Sequence, residues 1–329
     1  MTTYAISTRG VVFMTLLAIQ FGFQAIATKM FVDENADKIL LVLSCEVLKI
    51  FIAAFLLVTE GGDSGRRALR SWSLSESLIC GAFPAAIYAC QNVCIQMGYQ
   101  HLSGTMFNVL NQTKIVFTAV MVYFLAGRRQ SPKQCISLAI VGVIGVALSM
   151  DREEDATRSS HSRSRSEILW NGILPTLAAS VLSGFASGWS QRVMTAKESR
   201  RNAYLFSAEL SFYSALFLVG NIATASGIQG VWERTAQLFH TQKYCWIPIF
   251  TNALGGIFVG QVIKHAGGVS KSFSIIAGIM VTCVAEYLIL GYRLSSALRM
   301  SIPFALLSMY VYATNPPTMG IKETSKKER

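Results

Sequence analysis

Charge is what this chain has least of. Only 14% of its 329 residues are Asp, Glu, Lys or Arg, against about a quarter in an ordinary soluble domain. That scarcity excludes a water-facing surface of normal polarity over most of the chain. The four histidines (His101, His161, His240 and His265) are scattered, and no H-E-x-x-H, G-x-S-x-G or P-loop run occurs. The common signatures of zinc, serine and nucleotide hydrolysis are therefore missing, and no enzymatic activity is expected. The seven cysteines (Cys45, Cys80, Cys90, Cys94, Cys135, Cys245 and Cys283) show neither metal-ligand spacing nor a secreted disulfide pattern. Small buried thiols are the simpler reading. No metal ion and no cofactor is implied.

Apolar residues are abundant instead, at 52%. They recur in runs of about 18 to 25 residues, the length that crosses a bilayer as a helix. Ten spans are predicted: 10–31, 39–58, 79–102, 103–126, 133–150, 168–190, 203–225, 245–264, 271–290 and 299–315. A net charge of +11 on a soluble protein would suggest a nucleic-acid partner. Here the basic residues collect in the loops, among them Arg66, Arg67, Arg70, Arg128, Arg129, Lys133, Arg192, Lys197, Arg200 and Arg201. The positive-inside rule explains them, so lipid rather than nucleic acid is the expected surrounding. It puts the N-terminus in the cytosol, and an even number of spans returns the C-terminus there. Arg9 and the run Ala25-Ile26-Ala27 imitate a signal peptide. The first span is nonetheless kept, because the halves described next need it.

"YFLAGRRQS", from Tyr123, echoes "YLILGYRLS", from Tyr287. Tyr123, Gly127, Arg129 and Ser131 meet Tyr287, Gly291, Arg293 and Ser295, about half a chain apart. Each motif joins two apolar runs. Five spans per half is an odd number, so the second half enters the membrane from the opposite side. The predicted fold is thus an all-α membrane protein of about ten transmembrane helices in two inverted five-helix repeats. Many secondary transporters are built this way, with the substrate near the midplane. Residues 1–150 form the first repeat, 151–167 a charged loop, 168–315 the second repeat and 316–329 a cytosolic tail.

The stretch "FNVLNQTKIVF", residues 107–117, is too polar for lipid. A charge at the bilayer centre costs about 2.5–3.5 kcal/mol on insertion scales. Lys114 lies deep in its predicted span. At about 100° per residue, Phe107, Asn111, Lys114 and Thr118 fall on one stripe, with Asn108 and Gln112 beside it. A lysine on such a face suits an anion, amides suit hydrogen-bonding edges, and an aromatic ring can stack. Amides that tie neighbouring helices together are the competing explanation. Glu46 and Lys49, three residues apart in the second span, read as a mutually neutralising structural pair. Lys271 opens the ninth span, where a cation opposes the helix dipole; something anionic would keep it there. Glu209 and Glu286 lie deep enough to carry a proton or to pair with a cation.

Several motifs together resemble the nucleotide-sugar transporter family, in the branch that carries CMP-sialic acid, UDP-galactose and UDP-N-acetylglucosamine, within the drug/metabolite transporter superfamily. "CEVLKI" (Cys45–Ile50), "FPAAIYACQN" (Phe83–Asn92), "FNVLNQTKI", "SGFA" (Ser183–Ala186), "TNALGG" (Thr251–Gly256), Lys264 and "SKSFS" (Ser270–Ser274) carry the likeness, in order and over nearly the whole chain. The resemblance implies ten helices in inverted halves and exchange of a cytosolic nucleotide sugar for a lumenal nucleoside monophosphate. By motif position, Lys114 and Lys271 would meet the phosphates. Asn92, Phe107, Asn108 and Asn111 would line the nucleotide pocket, and Ser183 would face the cavity. Ser207, Glu209 and Ser274 stand at further pocket positions. Gly255 and Gly256 would permit close helix packing. Phe107 and Asn111 replace family tyrosines, Asn108 a glutamine, and Gln191 a glutamate. The seventh-span motif fits best as Phe206-Ser207-Ala208-Glu209, which loses an asparagine and gains an acid. These changes argue against simple CMP-sialic acid transport and leave UDP-sugars open.

The chain ends "SKKER". Lys326 and Lys327 there resemble the K-K-x-x signal that returns membrane proteins to the endoplasmic reticulum through coat machinery. That address favours a UDP-N-acetylhexosamine, exchanged for UMP; the Golgi membrane is the alternative. A proton-coupled metabolite or drug exporter of the same fold, or a non-transporting membrane scaffold, are the rival readings. Self-association into a homo-oligomer is left open.

Overall fold

The first two helices begin where a short polar side chain satisfies the first free amides. Ser7 accepts a hydrogen bond from the Gly10 amide at 3.1 Å and opens α1, Thr8–Phe31. Asp37 accepts from the amides of Ile39 and Leu40 and opens α2, Lys38–Thr59. In this computed structural model the described residues are 6–33, 36–60, 63–102, 104–151, 166, 168–195, 201–241, 244–290 and 296–316. The short α3, Asp63–Arg70, is strongly charged. The third span, α4, runs from Leu74–Ser77 through a π-helical turn, Leu78–Ala82, into Phe83–His101. The fourth comes in two pieces, α5 (Gly104–Asn111) and α6 (Lys114–Ala126), and the fifth is α7, Pro132–Asp151. The second half holds α8 (Ile168–Ile173 continued by Leu174–Thr195), α9 (Ala203–Thr241), α10 (Trp246–His265), α11 (Gly268–Leu290) and α12 (Ser296–Thr314). α9 is kinked at Gly227, whose φ of 72° no ordinary side chain favours.

Each of the ten predicted spans is helical among the described residues. Eight helices there are long and apolar enough to cross a membrane, and the fifth span offers a shorter apolar stretch, Pro132–Ala147. Large apolar side chains such as Phe51, Phe55 and Val58 on α2 are two-thirds or more exposed; in lipid that exposure costs nothing. This is a multi-pass membrane protein. The 151–167 loop, apart from residues 151 and 166, and the tail with Lys326 and Lys327 lie outside the described residues, as does Gly291 of the repeated motif.

The fourth span departs from the sequence reading. A single helix was expected over 103–126, yet it breaks at Gln112-Thr113. Around the break the amides of Gln112, Thr113 and Ile115 bond three residues back instead of four. Thr113 Oγ1 donates to the Leu110 carbonyl at 2.6 Å. Short polar side chains compete for the backbone in this way. Lys114 thus opens a helix, and the uniform 100° stripe does not run through it.

Helix contacts obey an exchange rule. Numbering the spans one to ten, the fourth packs on the sixth and the ninth on the first. Likewise the third packs on the sixth and the eighth on the first, and the second on the eighth and the seventh on the third. The pairs second–seventh, fourth–ninth and fifth–tenth map onto themselves. Replacing each span by the one five places along leaves these main contacts unchanged, while lesser ones such as sixth–eighth and sixth–ninth lack a counterpart of like extent. The two closest seams use glycine. A Cβ on Gly184 of α8 would lie 2.7 Å from the Phe117 backbone of α6. One on Gly22 of α1 would lie 2.6 Å from the Val281 Cβ of α11.

Candidate functional site

Five helices meet around two ammonium groups. Lys271 lies in the first turn of α11 and donates to Ser187 Oγ of α8 at 3.0 Å. Lys114, at the start of α6, is close enough to feel the charge of Lys271. Both are half-buried. Among the described residues no carboxylate forms an ion pair with either lysine. Each stands at a helix N-terminus, where the dipole adds further positive potential. Like charges at short range raise each other's energy, and more so away from bulk water. The arrangement is therefore stabilised by whatever anion enters between them.

Hydroxyls extend the site along α8. The Tyr88 hydroxyl of α4 faces Ser187 and Ser190 of α8 and lies within reach of the Lys49 charge. Ser183, one turn before Ser187, is buried, as are Thr176 and Ser180 on the same face. Ser180 Oγ and Gln91 Oε1 are buried without a hydrogen-bond partner among the described residues. Orphaned polar atoms of this kind are uncommon in folded proteins. Neighbouring Lys49 is different, because it is neutralised: its Nζ lies 2.8 Å from both oxygens of Glu46. Its stem passes over Gly256, where a Cβ would lie 3.0 Å from Nζ. Gly255 gives the same clearance to Gln20.

The other residues singled out in the sequence are placed as follows. Asn111 ends α5 and is half-buried, while Asn92 on α4 is exposed. Phe107 is only 1% exposed and lies against Gly98, so its ring is part of the packing. Gln112 points at Gly145, whose missing Cβ makes room for the amide. Ser274 donates to the Ser270 carbonyl of its own helix, and Ser207 lies against Gly260. The Asn108 side chain lies outside the described residues. Sequence reasoning overlooked Tyr88 and Ser187. Tyr88 sits inside the quoted "FPAAIYACQN", and Ser187 follows Ser183 by four residues, one helical turn on the same face.

Glu209 belongs to a second charged group. It accepts two hydrogen bonds from the Arg201 guanidinium and one from Trp72 Nε1 at 2.8 Å. Arg201 also donates to Glu76 at 2.7 Å, and its neighbour Asn202 donates to Glu60 at 2.6 Å. Burial opposes the Arg201 charge, but Glu209 and Glu76 more than offset it, so its pKa rises further above the ordinary value. The sequence reading had counted Arg201 as a loop cation and, with Asn202, as a rival register of the seventh-span motif.

The comparisons agree with this geometry. A crystal structure 12% identical in sequence superposes with a TM-score of 0.63, over 94% of this chain and 99% of its own, a likeness of fold alone. The chain is 34% identical over 302 residues to the UDP-N-acetylglucosamine transporter ROCK1 of Arabidopsis thaliana, covering 92% of this chain and 90% of that one. It is 24% identical to the Homo sapiens UDP-N-acetylglucosamine transporter over 85% of this chain and 86% of that one. The Schizosaccharomyces pombe UDP-galactose transporter is 25% identical over 79% and 68%. Residues 6–313 match the family model described as nucleotide-sugar transporter. An all-helical membrane bundle with two facing cations, matched over nearly its whole length by that model, belongs to the nucleotide-sugar transporter family.

Proposed function

We propose that the protein is an antiporter that brings a UDP-sugar, a UDP-N-acetylhexosamine, into the lumen of the endoplasmic reticulum in exchange for UMP. The observation that carries this reading is the pair Lys114 and Lys271, within reach of each other's charge and, among the described residues, with no carboxylate paired to either one. A diphosphate offsets both charges at once. Ser183, Ser187 and Tyr88 offer hydroxyls to the ligand, and Asn92 and Asn111 offer amides. UDP-N-acetylglucosamine is the substrate in the names of the plant and human relatives, which supports the choice of sugar. The exchange among the helix contacts supports two five-span halves, and the basic loops support placing both chain ends in the cytosol. One half then rocks against the other around the fixed lysines.

The test is counterflow into liposomes preloaded with UMP, CMP or GMP and offered a panel of labelled nucleotide sugars. UMP should stimulate uptake of UDP-N-acetylhexosamine above the other pairs. No stimulation by any nucleoside monophosphate would reject exchange. Uptake driven by a proton gradient without internal nucleotide would favour the rival exporter. That rival needs Glu209 to release Arg201, or Glu286 to carry the proton.

A further inference from the structure

A second basic cavity lies outside the lysine pair. It occupies about 380 Å³ at the end of the bundle that holds the chain's N-terminus, between α6, α8, α10 and the start of α11. Arg128, Arg192, Lys264 and His265 line it, with Gln191 and Thr195, and among the described residues no acidic side chain does. These basic residues come from three separate points of the chain, so local sequence bias does not explain them. Three of the four are held from behind. Arg192 lies over the Trp189 ring at 5.9 Å, and His265 stacks on Phe13 at 5.9 Å. Arg128 donates to the Ala266 carbonyl at 3.3 Å.

The floor of this cavity leads toward the lysine pair. Gln191 Oε1 accepts from the Gly268 amide at 2.8 Å. Ser187, one turn earlier on α8, is the partner of Lys271. The Arg128 guanidinium lies directly against Gly267, whose φ of 96° and missing Cβ make the approach feasible. Arg128 comes from the first half of the chain, and Ala266, Gly267 and Gly268 from the second. The Arg128–Ala266 bond therefore latches the halves together between the outer cavity and the inner site, and the Gln191–Gly268 bond braces the second half beside it.

We infer that this cavity is a docking site for phosphate oxygens, separate from the inner lysines, where the anion waits before passing the latch. The inference rests on the transport reading for its direction but not for its chemistry. Clustered cations in a cleft raise the local anion concentration and the association rate, and salt weakens both effects. A phosphate bound there competes with the Ala266 carbonyl for Arg128, so the ligand itself loosens the floor beneath it. The phosphate belongs either to a nucleotide or to a lipid headgroup reaching in at the membrane surface.

Three measurements on the full chain test this. In phosphatidylcholine vesicles, Arg192→Gln/Lys264→Gln should raise the KM for UDP-N-acetylglucosamine about tenfold more than it lowers kcat, and should flatten the salt dependence of kcat/KM. An unchanged KM with an unchanged salt slope overturns the inference. In vesicles that also contain phosphatidylserine, a raised KM in the wild type that disappears in the double variant assigns the site to lipid phosphate. No lipid effect assigns it to the nucleotide. The third arm does not depend on transport: the detergent-solubilised Lys271→Gln protein is melted with pyrophosphate. Stabilisation that persists there and vanishes when Arg192→Gln/Lys264→Gln is added supports a separate site. No stabilisation in Lys271→Gln overturns it. If the wild type moves no nucleotide yet this melting pattern appears, the transport reading fails and the anion site stands.

Discussion

The lysine chamber and the Arg201 cluster both bury charge within the same bundle, and they settle it in opposite ways. Around Arg201, two carboxylates and an indole N–H close the network within the protein, and Glu209 gains a bidentate partner. Around Lys114 and Lys271 no carboxylate pairs with either ammonium among the described residues, and Ser187 is the hydrogen-bond partner of Lys271. A closed network needs nothing from outside and makes sense as a joint between α4 and α9. An open one is stable only with a counter-ion, which gives it a ligand. Glu46 and Lys49 repeat the closed pattern on α2, one layer from the chamber. The difference between the two regions, more than burial itself, separates a binding site from a structural joint.

Breaking the closed network should have the largest effect. Glu209→Ala leaves Arg201 buried beside half its partners, and losing one member of a buried pair costs about 3–5 kcal/mol. A steep fall in melting temperature and in folded yield is the expected result. A variant that melts normally would mean the cluster is not a joint. Opening the chamber should act on transport and not on folding. Lys271→Ala or Lys114→Ala should lower counterflow about a hundredfold, equivalent to about 3 kcal/mol at 1.4 kcal/mol per tenfold. Melting without ligand should stay level or rise, since one repulsion is relieved. Normal counterflow in both variants would remove the site. A smaller change sharpens the contrast. Tyr88→Phe deletes the hydroxyl that faces Ser187 and Ser190, and should raise the KM for UMP by about tenfold or less, the scale of one net hydrogen bond. The control lies at the far end of the bundle. Arg234 pairs with Asp37 where both are partly exposed, so Arg234→Gln should change stability by less than about 1 kcal/mol and leave transport intact.

Much of this was readable from the sequence because lipid is a strict solvent. It demands long apolar helices, so ten runs could be marked before any coordinates. It also makes every internal charge conspicuous, so Lys114, Lys271 and the pair Glu46–Lys49 stood out. What stayed hidden depends on partners far away in the chain. Glu209 read as a proton carrier or as half of an ion pair, and its partners, Arg201 and Trp72, show only in the fold. Phe107 looked like a stacking ring until Gly98 was seen against it. Tyr88 and Ser187 are ordinary residues in a bundle, and only their meeting at Lys271 makes them notable. The break at Gln112-Thr113 was concealed for another reason. Periodicity assumes a helix continues, and three polar side chains in a row carried the only hint that it does not.

That break has a mechanical meaning. Peptide units near Gln112 bond only three residues back, so the eight-residue segment Gly104–Asn111 can tilt without unzipping an intact ladder. The pivot lies immediately next to Lys114. A ligand drawn to that ammonium therefore pulls on the hinge itself, and closing the chamber over its cargo requires no helix to melt.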